Sequence, residues 1–136
     1  MKKFELSNYY DLLNLHKALM EAKFHDNPDN KYIAGSPIIA KIINEIVDIL
    51  AEIDPHANKS DWESWRKLEN HMISEHKFKY EKSIWDKILD RVSEDDLWSK
   101  YTREEKIIAT KNYFSPFILS KLEIENFIND VDMNEK

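Results

Sequence analysis

Apolar residues crowd most densely between Ser36 and Ile53. There Ile38, Ile39, Ile42, Ile43, Ile46, Val47, Ile49, Leu50 and Ile53 cover most of a helical cylinder, while Lys41, Glu45, Asp48 and Glu52 fall on one narrow stripe. Ser36 is a favoured helix cap and Pro37 suits the first helical position, where no backbone donor is needed. Asp54-Pro55 ends the run, because a residue before proline is pushed out of the helical region. Each buried aliphatic side chain contributes about 2 kcal/mol, so this pattern predicts a helix wrapped by others at the centre of the fold.

The same periodicity predicts a first helix from about Asn8 to Phe24, capped by Asn8, with Tyr9, Leu12, Leu13, His16, Leu19 and Met20 on its apolar stripe. His16 lies within that stripe and is expected to be a hydrogen-bonded core histidine. Ser60-Asp61-Trp62-Glu63 has the spacing of a capping box and predicts a third helix carrying Trp62, Trp65, Leu68 and Met72 inward. The spacing recurs at Ser83 and Asp86, at Ser93 and Asp96, and at Thr102 and Glu105, each time opening a new helical piece. The last of these pieces is expected to bury Ile107, Ile108 and Phe114. Ser115-Pro116 repeats the start signal of Ser36-Pro37 and predicts a final helix carrying Phe117, Ile118, Leu119, Leu122, Ile124, Phe127, Ile128 and Val131, its acidic end frayed.

These elements predict one all-α domain over residues 1–136, a bundle of six or seven helices around a central apolar helix at about 37–53. Composition agrees, since a single glycine and four prolines leave few of the tight turns that sheets need. No cysteine is present, so disulfides and thiolate chemistry are excluded. No apolar run approaches the length of a membrane span, and Met1-Lys2-Lys3-Phe4-Glu5 turns polar before a signal-type apolar region develops; a cytoplasmic protein without a membrane partner is expected.

Charge narrows the partners. The formal net charge is −6, and of the 20 basic residues only Arg66, Arg91 and Arg103 are arginines, the usual residue for bidentate phosphate contacts. A broad nucleic-acid-binding face is therefore disfavoured, with a local patch of Lys77, Lys79 and Lys82 the exception. The acids Glu45, Asp48 and Glu52 on the apolar helix, and Glu123 and Glu125 on the last one, are the candidate binding residues for a basic protein partner.

Candidate chemistry is fragmentary. The connection from His25 to Gly35 is long and rich in turn formers, as functional or mobile loops are. Its Asp/Asn cluster resembles a calcium loop, but Pro28 and the missing glycine and distal glutamate break the spacing. His25-Asp26 resembles the dipeptide of HD-type metal phosphohydrolases, which need a second histidine well upstream; His16 is only nine residues earlier. Glu45-x-x-Asp48 resembles half of the magnesium site of helical nucleotide pyrophosphohydrolases, without the upstream Glu-x-x-Glu. His71 and Glu75 share a helical face that His76 leaves, and Glu-x-x-His is absent, so no metal site and no cofactor is expected. There is no glycine-rich phosphate loop, Gly-x-Ser-x-Gly or cysteine nucleophile.

Arg66-Lys67-Leu68-Glu69-Asn70-His71 resembles the short motif of HEPN-type ribonucleases, which are small all-helical domains. The resemblance implies that Arg66 stabilises phosphate charge and His71 acts in acid/base chemistry, with Asn70 orienting. The six residues fall mid-chain and inside the predicted third helix. Trp62, Trp65, Trp85 and Trp98 cluster in the middle third with Tyr80 and Tyr101, where core packing is the first expectation and a binding hot spot the second. With no complete catalytic set, the sequence favours a small acidic binding domain that masks a basic partner surface, as immunity proteins and antitoxins do; the alternative is the HEPN-like ribonuclease. Partner and oligomeric state are not legible.

Overall fold

The structure, a computed structural model, describes residues 2–72 and 83–134. They form six α-helices: α1 (Tyr9–Phe24), α2 (Pro37–Ile53), α3 (Lys59–Arg66), α4 (Ile84–Ser93), α5 (Arg103–Phe114) and α6 (Lys121–Asn134). Short 3₁₀ turns at Leu68–His71 and Trp98–Lys100 join them, and among the described residues the only bridge-type pairing links Lys67 to Ile118. The all-helical bundle expected from periodicity is the one found.

Side-chain caps start the helices where the chain supplies them. Asn8 Oδ1 accepts the Tyr10 amide, Ser36 Oγ the Ile39 amide and Ser83 Oγ the Asp86 amide. Thr102 and Glu105 form a reciprocal box, each side chain accepting the other's backbone N–H. Such a cap is worth about 1 kcal/mol.

Two trios of helices make up the bundle. α2 packs against α1 and α3 on the N-terminal side, α6 packs against α4 and α5 on the C-terminal side, and α2–α5 and α1–α4 contacts join them. Leu12, Ile46 and Leu50 form a small apolar cluster in the first trio. The larger cluster centres on Ile88, Val92, Trp98, Phe114, Phe117, Phe127, Ile128 and Val131, with Phe24 and Leu68 closing it from the other half. The main core therefore lies in the aromatic C-terminal half rather than around α2. Each large aromatic ring removes more surface from water than an isoleucine does.

α2 is not fully wrapped. Ala40, Ile43, Ile46, Val47 and Leu50 are buried, but Ile38, Ile42, Ile49 and Ile53 are exposed: among the described residues α2 packs mainly on α1, α3 and α5, and these leave one side of it open.

Several boundaries differ from those expected. α3 is capped by Asn58, whose side chain accepts the Asp61 amide while Asp61 accepts the Asn58 N–H. Ser60, expected to cap, instead donates its hydroxyl to Asn58 Oδ1. α3 stops at Arg66, since the backbone there turns to pair with the α5–α6 connection: Ile118 N–H donates to Arg66 O and Leu68 N–H to Ile118 O. Leu68 is fully buried as expected, Trp62 and Trp65 are half-buried, and Met72 is exposed. Ser93 ends α4 rather than starting a helix, its hydroxyl donating back to Asp90 O. Ile108 of α5 faces outward. Ser115-Pro116 is a cis peptide within a turn, not a helix start. α6 begins after Ser120, whose hydroxyl accepts the Glu123 amide while Glu123 accepts the Ser120 N–H.

Candidate functional site

On a helix of 3.6 residues per turn, Ile38, Ile42, Ile49 and Ile53 lie within about 60° of one another. Their exposures are 70%, 39%, 43% and 41%, so the four mark one apolar stripe along the open side of α2, in two pairs with Glu45 at its edge between them. Glu45 and Glu52 are exposed and adjoin the stripe on one side, with Lys41 beside them. Asp48 lies farther round the cylinder, where its carboxylate meets Arg66 Nη1 at 2.6 Å.

Arg66 has a structural setting. Its Nε donates to Pro116 O at 3.0 Å, Nη1 to Asp48 Oδ1 and Nη2 to Asn44 Oδ1 at 2.9 Å. One guanidinium thus ties the end of α3 to α2 and to the α5–α6 connection, a fork geometry that lysine does not supply. His71 lies on the 3₁₀ turn, its ring over Phe117 at 4.4 Å between centroids, with Nε2 against the Trp65 carbonyl. Asn70 donates to Ser64 O. The helix ends between Arg66 and His71, so the two are not held on one helical face. Glu75, His76, Lys77, Lys79, Tyr80 and Lys82 lie outside the described residues.

The remaining acids have separate settings. Glu123 caps α6, and Glu125 is half-buried. Two aspartates of α6 that charge patterning alone leaves undistinguished accept indole protons: Asp130 from Trp85 at 3.2 Å and Asp132 from Trp98 at 2.9 Å. Trp98 is a core residue of the C-terminal trio and Trp85 packs half-buried against that core, whereas the half-buried Trp62 and Trp65 border a pocket of about 270 Å³ with His16, Asp54, Ala57 and Asp61.

His16 is buried as expected, but neither ring nitrogen has a hydrogen-bond partner among the described residues. Its ring meets the Trp62 and Trp65 rings edge-on, at centroid distances of 5.7 and 5.3 Å. Burial, with a smaller push from Lys17, lowers its pKa to about 4. The folded value lies below the unfolded one, so this contribution to stability is intact above about pH 6.5 and is lost as pH falls toward 4. The loss is about 3 kcal/mol at 1.36 kcal/mol per pK unit. Urea denaturation of wild type and His16→Leu at pH 7, 5.5 and 4 checks it: the variant sheds this part of the acid sensitivity, and parallel pH curves contradict the assignment.

The connection between α1 and α2 covers a cleft of about 780 Å³ bordered by Tyr32, Arg91, Asp95, Tyr101, Ile108 and Tyr113. Tyr113 donates its hydroxyl to Asp95 at 3.1 Å, and burial, then the Asp95 charge, push its pKa up. A Cβ at Gly35 would stand 2.6 Å from the Tyr113 ring, so a larger residue there forces that ring to shift. Among the described residues no three His, Asp or Glu side chains converge as a metal site would require, and no helix is long and apolar enough to cross a membrane. No family model, curated protein or solved structure matches this chain.

Proposed function

We propose that the chain is a protein-binding module whose docking face is the open side of α2. The observation that carries this reading is the unpaired isoleucine stripe with Glu45 and Glu52 along its edge. A stripe of this spacing fits the apolar face of a partner helix or a shallow apolar groove, and the acids select for basic residues at its rim. The net charge of −6 steers the encounter in the same direction. An acidic masking protein of the immunity or antitoxin type would use such a face to cover a basic partner surface. The settings of Arg66 and His71, both engaged in holding the chain together, favour binding over the ribonuclease alternative.

Affinity capture at low salt compares wild type with Ile49→Lys, whose exposed position leaves stability within about 0.5 kcal/mol. A basic protein is expected on wild type, released by raised salt, with affinity for the variant at least about tenfold lower. Equal retention by the variant moves the docking face off α2. Light scattering supplies the other arm: a homodimer abolished by the same substitution would make a second copy the occupant and overturn the basic-partner reading.

A further inference from the structure

We propose that the pocket between α1 and α3 binds a small organic ammonium cation, received by the rings of Trp62 and Trp65 and neutralised by Asp54 and Asp61. At about 270 Å³ the pocket has room for a trimethylammonium group. Its two indoles stand edge-to-face, with centroids 5.5 Å apart, and the His16 ring packs edge-on against both. Aromatic rings attract a cation through their quadrupole, tryptophan most strongly.

The charges agree with the rings. Among the described residues no lysine or arginine borders the pocket, and two carboxylates do. The His56 amide, helped by the Trp62 indole and the Ala57 amide, holds Asp54 below the usual carboxylate range against the opposing effect of burial, so it stays ionised. Trp62 Nε1 donates to Asp54 Oδ2 at 3.0 Å, which fixes ring and carboxylate together. Asp61 is anchored by the Asn58 amide at 3.0 Å. His16 is neutral near pH 7 and adds no repulsion. Its two unpartnered nitrogens are an independent feature of the residue that borders this pocket, since a buried polar ring is normally paired.

The test titrates the full chain with choline and with its neutral isostere 3,3-dimethyl-1-butanol, following the four indole N–H signals by NMR. Choline is expected to give saturable shifts confined to the Trp62 and Trp65 signals, and to bind about tenfold tighter than the alcohol. Asp61→Asn, which retains an oxygen for the Asn58 amide, is expected to weaken choline about threefold and leave the alcohol unchanged. Trp62→Phe, still aromatic but without the N–H that Asp54 accepts, should weaken choline, with a melt that is lowered but still cooperative. Equal affinity for choline and the alcohol, shifts of the Trp85 and Trp98 signals alongside the others, or no saturable shift at the highest choline concentration each overturn the proposal.

Discussion

Between pH 7 and pH 10 the fold gains about 4 kcal/mol from one residue, Lys23, at 1.36 kcal/mol per pK unit. Lys23 is 1% exposed, at the end of α1, and its Nζ donates to Asn112 O at 2.7 Å. That carbonyl belongs to the last turn of α5, where helix carbonyls lack intrahelical partners, so Lys23 acts as a cap supplied from another helix. Burial lowers its pKa to about 7. Unfolded, it holds its proton up to about pH 10.5, so between the two values the unfolded chain binds more protons and stability rises with pH. Below pH 7 the cost of burying the charge is fully present. Lys23→Met removes this slope while leaving Asn112 O unpaired, which costs about 1–3 kcal/mol at every pH. The variant's deficit is therefore largest near pH 10 and shrinks or reverses at pH 7. Tyr9, Tyr101 and Tyr113 have raised pKa values and act in the opposite sense at the alkaline end, which the difference between wild type and variant removes. Equal denaturation curves for the two proteins at pH 7 and 10 contradict the assignment.

Lys23 also shows what the sequence could have yielded. It lies seven residues after His16, on the apolar stripe of α1, so periodicity alone marks it as a buried lysine. The helix starts at Asn8, Ser36, Ser83 and Thr102 were legible because a cap is a local matter of side chain and nearby backbone. Asn58 and Ser120 carry equally local signals, an acid three residues on in each case, but Ser60 and Ser115-Pro116 offered competing ones. Nothing local ends α3 at Arg66. That stop comes from pairing with Ile118, 51 positions beyond Lys67, and Ser115-Pro116 lies in the same connection.

The site divides in the same way. The acids and isoleucines of α2 were legible as a pattern, and that Glu45 and Glu52 face outward follows from their polarity. Which isoleucines stay bare depends on how many neighbours arrive, information the helix itself does not carry. Arg66 was legible as an unusual residue in a lysine-rich chain, but its partners Asn44, Asp48 and Pro116 come from two distant segments. The pocket at Trp62 and Trp65 likewise needs His16 from α1 and Asp54 from the end of α2.

Replacing Trp98 with alanine lowers stability by about 3–5 kcal/mol, the range for losing a large buried aromatic and leaving a cavity. Trp98 is fully buried, and its indole donates to Asp132 Oδ1 while Lys106 Nζ bonds the same oxygen at 3.0 Å and lies 5.4 Å from the ring centroid. Burial pushes the Asp132 carboxyl up, but the indole and the Lys106 ammonium outweigh it and hold it below the usual carboxylate range. The substitution thus empties the centre of the C-terminal trio and removes one of the two donors at Asp132. Trp98→Phe separates these effects: it keeps most of the ring volume, loses the N–H, and costs about 1–2 kcal/mol. Domains of this size are stable by about 5–15 kcal/mol, so the alanine variant alone removes a large share of the total. Guanidinium denaturation of the three proteins at pH 7 gives the ranking. A loss below about 1 kcal/mol for Trp98→Ala would place the dominant core back around α2 rather than among the aromatic residues of α5 and α6.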